Sequence, residues 1–274
     1  LSEALHREIV AALADVRAAV EDGPAMQRKM REAHEALLAA NAPEGDEAAA
    51  YLQWLSANNL VFLGYADYAA GPGETALIRV AGSGLGILRD PEHDCFGRCL
   101  AGIPGELAEL TKDPLPLILV KADARSTVHR SAYLDFIGVK GYDADGRLIG
   151  LRAFLGLYTA HVYHVAATEI PLLRRKIASV REAIGFVARS HRDKTLVNVL
   201  ETYPRDELIE IDGDGLTRIA RGIVSVHERE RVRVFLRNDP WGRYVSAIVY
   251  MPRDSFDTAV RTKISGLLHE TLSA

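Results

Sequence analysis

The chain has 274 residues, of which 48% are hydrophobic and 26% charged, with a formal net charge of −4. That length is ample for a buried core, the charge leaves no cationic surplus for nucleic-acid phosphates, and no apolar run approaches the roughly 18 to 20 residues that span a bilayer. Two cysteines, Cys95 and Cys99, are too few for a disulfide framework, and the opening LSEALHREIVAAL has no basic-then-apolar export pattern, so the expected placement is the cytoplasm, without nucleic-acid or membrane partners.

Leu5, Ile9, Val10, Leu13, Val16 and Val20 recur at helical spacing. Gly23-Pro24 is expected to break that helix, with a second one over Ala25 to Ala40. Asp46 is a candidate N-cap for a third helix reaching about Asn58. Val61 to Tyr68 and Thr75 to Val80 read as strands joined across Gly71-Pro72-Gly73, and Pro104 to Lys112 as a short helix. Leu117 to Lys121 reads as a buried strand from its continuous apolar content. Leu134 to Val139 and Leu148 to Leu157 flank Asp143-Ala144-Asp145-Gly146, which supplies a side-chain cap and a residue tolerant of positive φ for a tight reversal. About five antiparallel strands with helices inserted midway suit a PAS-like α+β sheet.

Beyond the sheet, Pro171 is placed in the first turn of a helix capped by Thr168. His191 to Tyr203 follows as a helix stopped by Pro204, then Asp212 to His227. A strand from Val232 to Arg237, a turn through Asn238 to Gly242, a strand from Tyr244 to Met251 and a helix capped by Ser255 close the chain. Strand, strand, helix is about half of a ferredoxin-like or ACT-type unit, whose open edge invites strand borrowing or dimerisation. The expected division is a helical junction over 1–47, a PAS-like domain over 48–166, a helical connector over 167–229 and a partial ACT-like unit over 230–274. A chain that starts with Leu and stops within a helical pattern reads as part of something longer.

Several residues invite chemistry. Gly82-Ser83-Gly84-Leu85-Gly86 lacks the Lys-Ser/Thr of a nucleotide loop and the βαβ setting of a dinucleotide fingerprint, so it reads as a bend between close-passing strands. His93, Cys95 and Cys99 fall short of four paired zinc ligands. His161 and His164, three apart after a strand, would point to opposite faces unless a helix or turn intervenes. Arg125, Ser126, Thr127, His129 and Arg130 admit two readings: an anion clamp or a contact to an acidic surface, or solvated charges and internal ion pairs, with Glu201, Asp206 and Glu207 as possible partners. Asp239-Pro240-Trp241-Gly242-Arg243 is a turn with an aromatic at its tip, and its plain reading is a hairpin loop with Trp241 packed on its own sheet.

The blocks RSTVHR, YLDFIGVK, FLGLYT, IPLLRRK and LETYPRDEL resemble the large NAD-dependent glutamate dehydrogenases of bacteria. YLQWLSANNLVFLGYADY and RVRVFLRNDPWGRYVSAIVYMPRD fit in the same order, so the resemblance covers about residues 48 to 274. It implies a non-catalytic regulatory and assembly segment preceding the catalytic domain. The implied parent reaction is oxidation of glutamate to 2-oxoglutarate and ammonia with NAD. It further implies no catalytic residues and no cofactor in this stretch, and partnership with the catalytic domain of the same polypeptide in a homo-oligomer. An amino-acid effector site is implied near Trp241 and Arg243. The rival readings are a free-standing small-molecule sensor, marked by a cavity within the sheet, and a hydrolase or metalloenzyme using His93, Cys95, Cys99 or His161.

Overall fold

A computed structural model describes residues 3–40, 43–71, 76–90, 110–227, 232–240 and 242–272. His93, Cys95, Cys99, Trp241, the Pro72-Gly73 turn and most of the expected helix from Pro104 lie outside the described residues. The architecture is α+β, in two compact units: Leu1–Leu173 and Arg174–Ala274.

The first unit is an antiparallel sheet with helices against it. Helix α1 (Glu3–Ala39) runs unbroken through Gly23-Pro24, about 55 Å long. The expected break is corrected by packing. Ala19, Met26, Met30, Ala33 and Leu37 form one buried stripe on both sides of Pro24, so the core holds the helix together. The hydrogen bond that proline removes belongs to the carbonyl of Val20, which is 72% exposed, where water can replace it. Helix α2 (Gly45–Trp54) begins after Glu44, at φ 59° and without a side-chain cap. Asp46 sits inside the first turn instead of capping it, where its charge still suits the helix dipole. A π-turn over Leu55–Asn59 ends the segment, with Asn58 at φ 63°.

The strands are β1 (Leu60–Ala70), β2 (Leu77–Arg79), β3 (Leu85–Gly86), β4 (Leu117–Arg125), β5 (Tyr133–Tyr142) and β6 (Leu148–Tyr158). Their order is β2-β1-β6-β5-β4, with β3 also on β1, and every pairing is antiparallel. The β5–β6 hairpin forms as its turn residues demand. The Asp143 carboxylate accepts the N–H groups of Asp145 (2.9 Å) and Arg147 (2.8 Å), and Gly146 takes φ 77°. In the core, the Tyr65 ring lies 4.8 Å from that of Phe154.

A short helix α3 (Ala160–His164) and a 3-10 turn (Ala167–Glu169) lead out of the sheet. His161 and His164 therefore lie on a helix, not on an extended strand, because the chain turns as soon as β6 ends. Helix α4 (Leu173–Ile184) starts two residues after Pro171, because Leu172 is left-handed at φ 66° and interrupts the helical path. Thr168 lies in the 3-10 turn and does not cap it.

In the second unit, α5 (His191–Thr202) ends before Pro204 as expected. Its start is fixed by Ser190, whose hydroxyl accepts the Asp193 N–H, while the Asp193 carboxylate accepts the Arg189 N–H at 2.8 Å. Helix α6 (Arg205–Glu210), absent from the sequence reading, precedes α7 (Gly213–His227). Strands β7 (Arg233–Asn238) and β8 (Val245–Tyr250) form a two-stranded sheet, and α8 (Thr258–Leu272) follows. The α8 cap is corrected from Ser255 to Asp257, whose carboxylate accepts the Val260 N–H at 2.7 Å. Ser255 ends a 3-10 turn.

Candidate functional site

Polar side chains gather at three places. The first is the loop between β4 and β5. Ser126 is buried; its hydroxyl donates to the Val128 carbonyl (2.6 Å) and accepts the Val128 N–H (3.1 Å), and its own N–H donates to Ala132 (2.8 Å). Thr127 donates to the Asp15 carboxylate on α1 at 2.6 Å. His129 adopts φ 69° at the exposed tip. Arg125 lies over the Tyr133 ring, 4.5 Å from its centre. Arg130 donates to the Tyr158 carbonyl at 3.1 Å and lies 6.0 Å from the Tyr163 ring centre. The two guanidiniums thus engage different partners.

Behind the loop sits a carboxylate that the sequence reading missed. Asp135, 2% exposed, accepts from Lys121 Nζ (2.5 Å) and from the Tyr158 N–H (2.9 Å). The Tyr158 hydroxyl meets that of Tyr51 on α2 at 2.7 Å. A carboxylate buried at the sheet is tolerable only with such partners. These groups tie β4, β5, β6, α2 and the loop together at the C-terminal end of β6. The available signal was an Asp inside the apolar run YLDFIG.

The second place is the glycine stretch. A Cβ on Gly84 would lie 2.1 Å from the Leu88 carbonyl oxygen, and one on Gly86 2.1 Å from that of Leu63. Gly86 also needs φ 60°. Its N–H donates to the Asp22 carboxylate of α1 (2.7 Å), which Arg89 also binds (2.9 Å). The chain's own carboxylate fills the position an anion would take.

The third place is around β7 and β8. Arg237 meets Glu207 of α6 through two parallel hydrogen bonds, one of 2.8 Å, and reaches Glu210 at 3.3 Å. Burial opposes the Arg237 charge, but the Glu207 bond and field outweigh it and hold the guanidinium pKa above its ordinary value. The Tyr244 hydroxyl donates to Glu210; burial and that carboxylate push the phenol up. Arg243 closes its own turn on Asp239, through Nε (2.9 Å) and Nη2 (2.8 Å). Glu207 is thereby committed to Arg237. Nearby, Lys176 Nζ donates to the carbonyls of Leu208 (2.9 Å), Ile209 (3.0 Å) and Ile211 (2.6 Å), terminating α6. Burial pushes the pKa of this ammonium down to about 8.

Both histidines of α3 are exposed. Among the described residues, no group of three or more His, Cys, Asp or Glu is placed to hold a metal ion.

Residues 170–229 match the family model of the glutamate dehydrogenase helical motif 1, and residues 233–274 that of the glutamate dehydrogenase ACT2 domain. Among curated proteins, the NAD-specific glutamate dehydrogenase of Halomonas elongata is 37% identical over 99% of this chain. That of Pseudomonas aeruginosa is 35% identical over 99%, and that of Mycobacterium tuberculosis 32% identical over 83%. The chain spans 17% of the length of the first two and 13% of the third. Similar along nearly its whole length to these proteins, and over 170–229 and 233–274 to two of the family's domain models, the chain belongs to the NAD-specific glutamate dehydrogenase family, as one segment of it.

Proposed function

We propose that this chain is a non-catalytic regulatory and assembly segment of an NAD-dependent glutamate dehydrogenase. The parent would oxidise L-glutamate to 2-oxoglutarate and ammonia with NAD as hydride acceptor, in a catalytic domain elsewhere in the same polypeptide. The observation that carries this reading is the match along 99% of the chain to proteins of which it forms only 17%.

The disposition of the polar groups supports it. Asp135, Lys121, Glu207, Arg237, Asp239 and Arg243 are spent on holding elements together. The glycine stretch does not fit the pyrophosphate of NAD. It opens no helix, its pairing partner is antiparallel, and Asp22 already takes the Gly86 amide. In this reading the parent's NAD is held by another part of the enzyme.

Exposed apolar faces support the assembly role. Leu5, Ile9, Leu13, Val16 and Val20 form a stripe along α1, and Val234 and Leu236 on β7, with Val232 just before it, form another. In this reading the rest of the polypeptide and neighbouring copies in a homo-oligomer cover them. The sheet over 48–166 serves as a PAS-like module, and an amino-acid effector acts through the ACT-like unit near Trp241 and Arg243. The Arg125–Arg130 loop serves as a domain contact. The test is deletion of this segment from the full-length enzyme. The expected result is loss of native assembly or amino-acid response, with the catalytic domain still able to bind NAD. An enzyme unchanged in assembly, regulation and turnover would refute it.

A further inference from the structure

Leu172 is a leucine in the left-handed region, at φ 66°, next to the seam between the two compact units. It is 7% exposed and sits between Pro171 and the first residue of α4, where the helical-motif match has just begun. A left-handed leucine is strained and persists only when its surroundings hold it there. Glu47, 9% exposed and in the first turn of α2, accepts the Leu172 N–H at 2.9 Å across 125 positions of sequence. Ile170 and Leu173 on either side are also buried.

We propose that Glu47 and Leu172 form a latch that keeps the exit from the sheet unit in a strained turn. The seam then has two backbone states. With the carboxylate on the Leu172 N–H, the turn before α4 is held left-handed. With that bond broken, Leu172 relaxes to negative φ and the turn opens. The device is independent of the enzymatic reading: it depends only on a strained residue, a buried acceptor and their position at the seam.

The test is hydrogen exchange of the intact chain, read in peptides covering 170–174 and, as reference, in β5 and β6. Glu47→Ala is expected to speed exchange at the seam roughly tenfold to a hundredfold, the loss of a charge-assisted hydrogen bond, with little change in the reference strands. Glu47→Gln, which keeps an acceptor oxygen and covers the case in which the alanine variant fails to fold, should speed it by a smaller factor. Leu172→Asn lowers the strain, because Asn tolerates the left-handed region. In that background the Glu47→Ala effect should shrink. Unchanged seam exchange, equal acceleration in seam and strands, or an equal Glu47→Ala effect in both backgrounds would each overturn the latch.

Discussion

Arg237 shows how a residue that reads as a solvated strand charge becomes structural. It alternates with exposed Val234 and Leu236 along β7, and its own side chain turns inward to two glutamates. Removing one member of a buried pair leaves the other charge uncompensated. Glu207→Ala should therefore lower the stability of the second unit by about 3–5 kcal/mol in urea unfolding, and Arg243→Ala, which strands the buried Asp239 carboxylate, should be comparably destabilising. Lys176 gives a signature in pH. Its folded pKa, about 8, lies below the unfolded value, so between pH 8 and roughly 10.5 the unfolded chain holds more protons than the folded one. Stability from this group is lowest with the ammonium charged and rises as pH climbs through that window. Lys176→Met should flatten that rise in unfolding curves taken at successive pH values. It should also cost on the order of 2–4 kcal/mol at neutral pH, by stranding the carbonyls that end α6.

At the scale of elements, local chemistry wrote some boundaries and distant packing wrote others. The β5–β6 hairpin was legible because Asp143 and Gly146 act within their own turn. Helix α5 was legible because Pro204 stops it. The continuity of α1 was not, since the stripe that overrides Gly23-Pro24 makes sense only once the sheet is in place. The Asp135–Lys121 pair and the Glu47–Leu172 contact escaped for the same reason: their partners lie 14 and 125 positions away. Two glycines separate the cases. Gly23 has open space around its Cβ position, so Gly23→Ala should stabilise α1 by about 1 kcal/mol. Gly86 has positive φ and the Leu63 carbonyl oxygen in the way, so Gly86→Ala should detach β3 from β1 and lower the melting temperature. Thermal unfolding of the two variants side by side checks both.

The chain combines two compact units with exposed apolar residues along α1 and around β7. Substitutions on that surface separate folding from assembly. Leu13→Glu with Val20→Glu should leave the isolated chain within about 0.5 kcal/mol of its original stability, because both side chains are largely exposed. The same pair in the full-length enzyme should weaken its assembly, read by sedimentation. The resemblance in the sequence blocks, and not any catalytic pattern, is what made the family legible. The intramolecular partners of Arg125, Arg130 and Arg243 were not legible, because no local pattern in the sequence pairs them.

The most direct measurement is glutamate-dependent NADH formation by the purified chain, paired with NAD titration in a calorimeter. The account predicts no NADH above the buffer rate and no heat of NAD binding. Sustained NADH production proportional to the amount of this chain would contradict it.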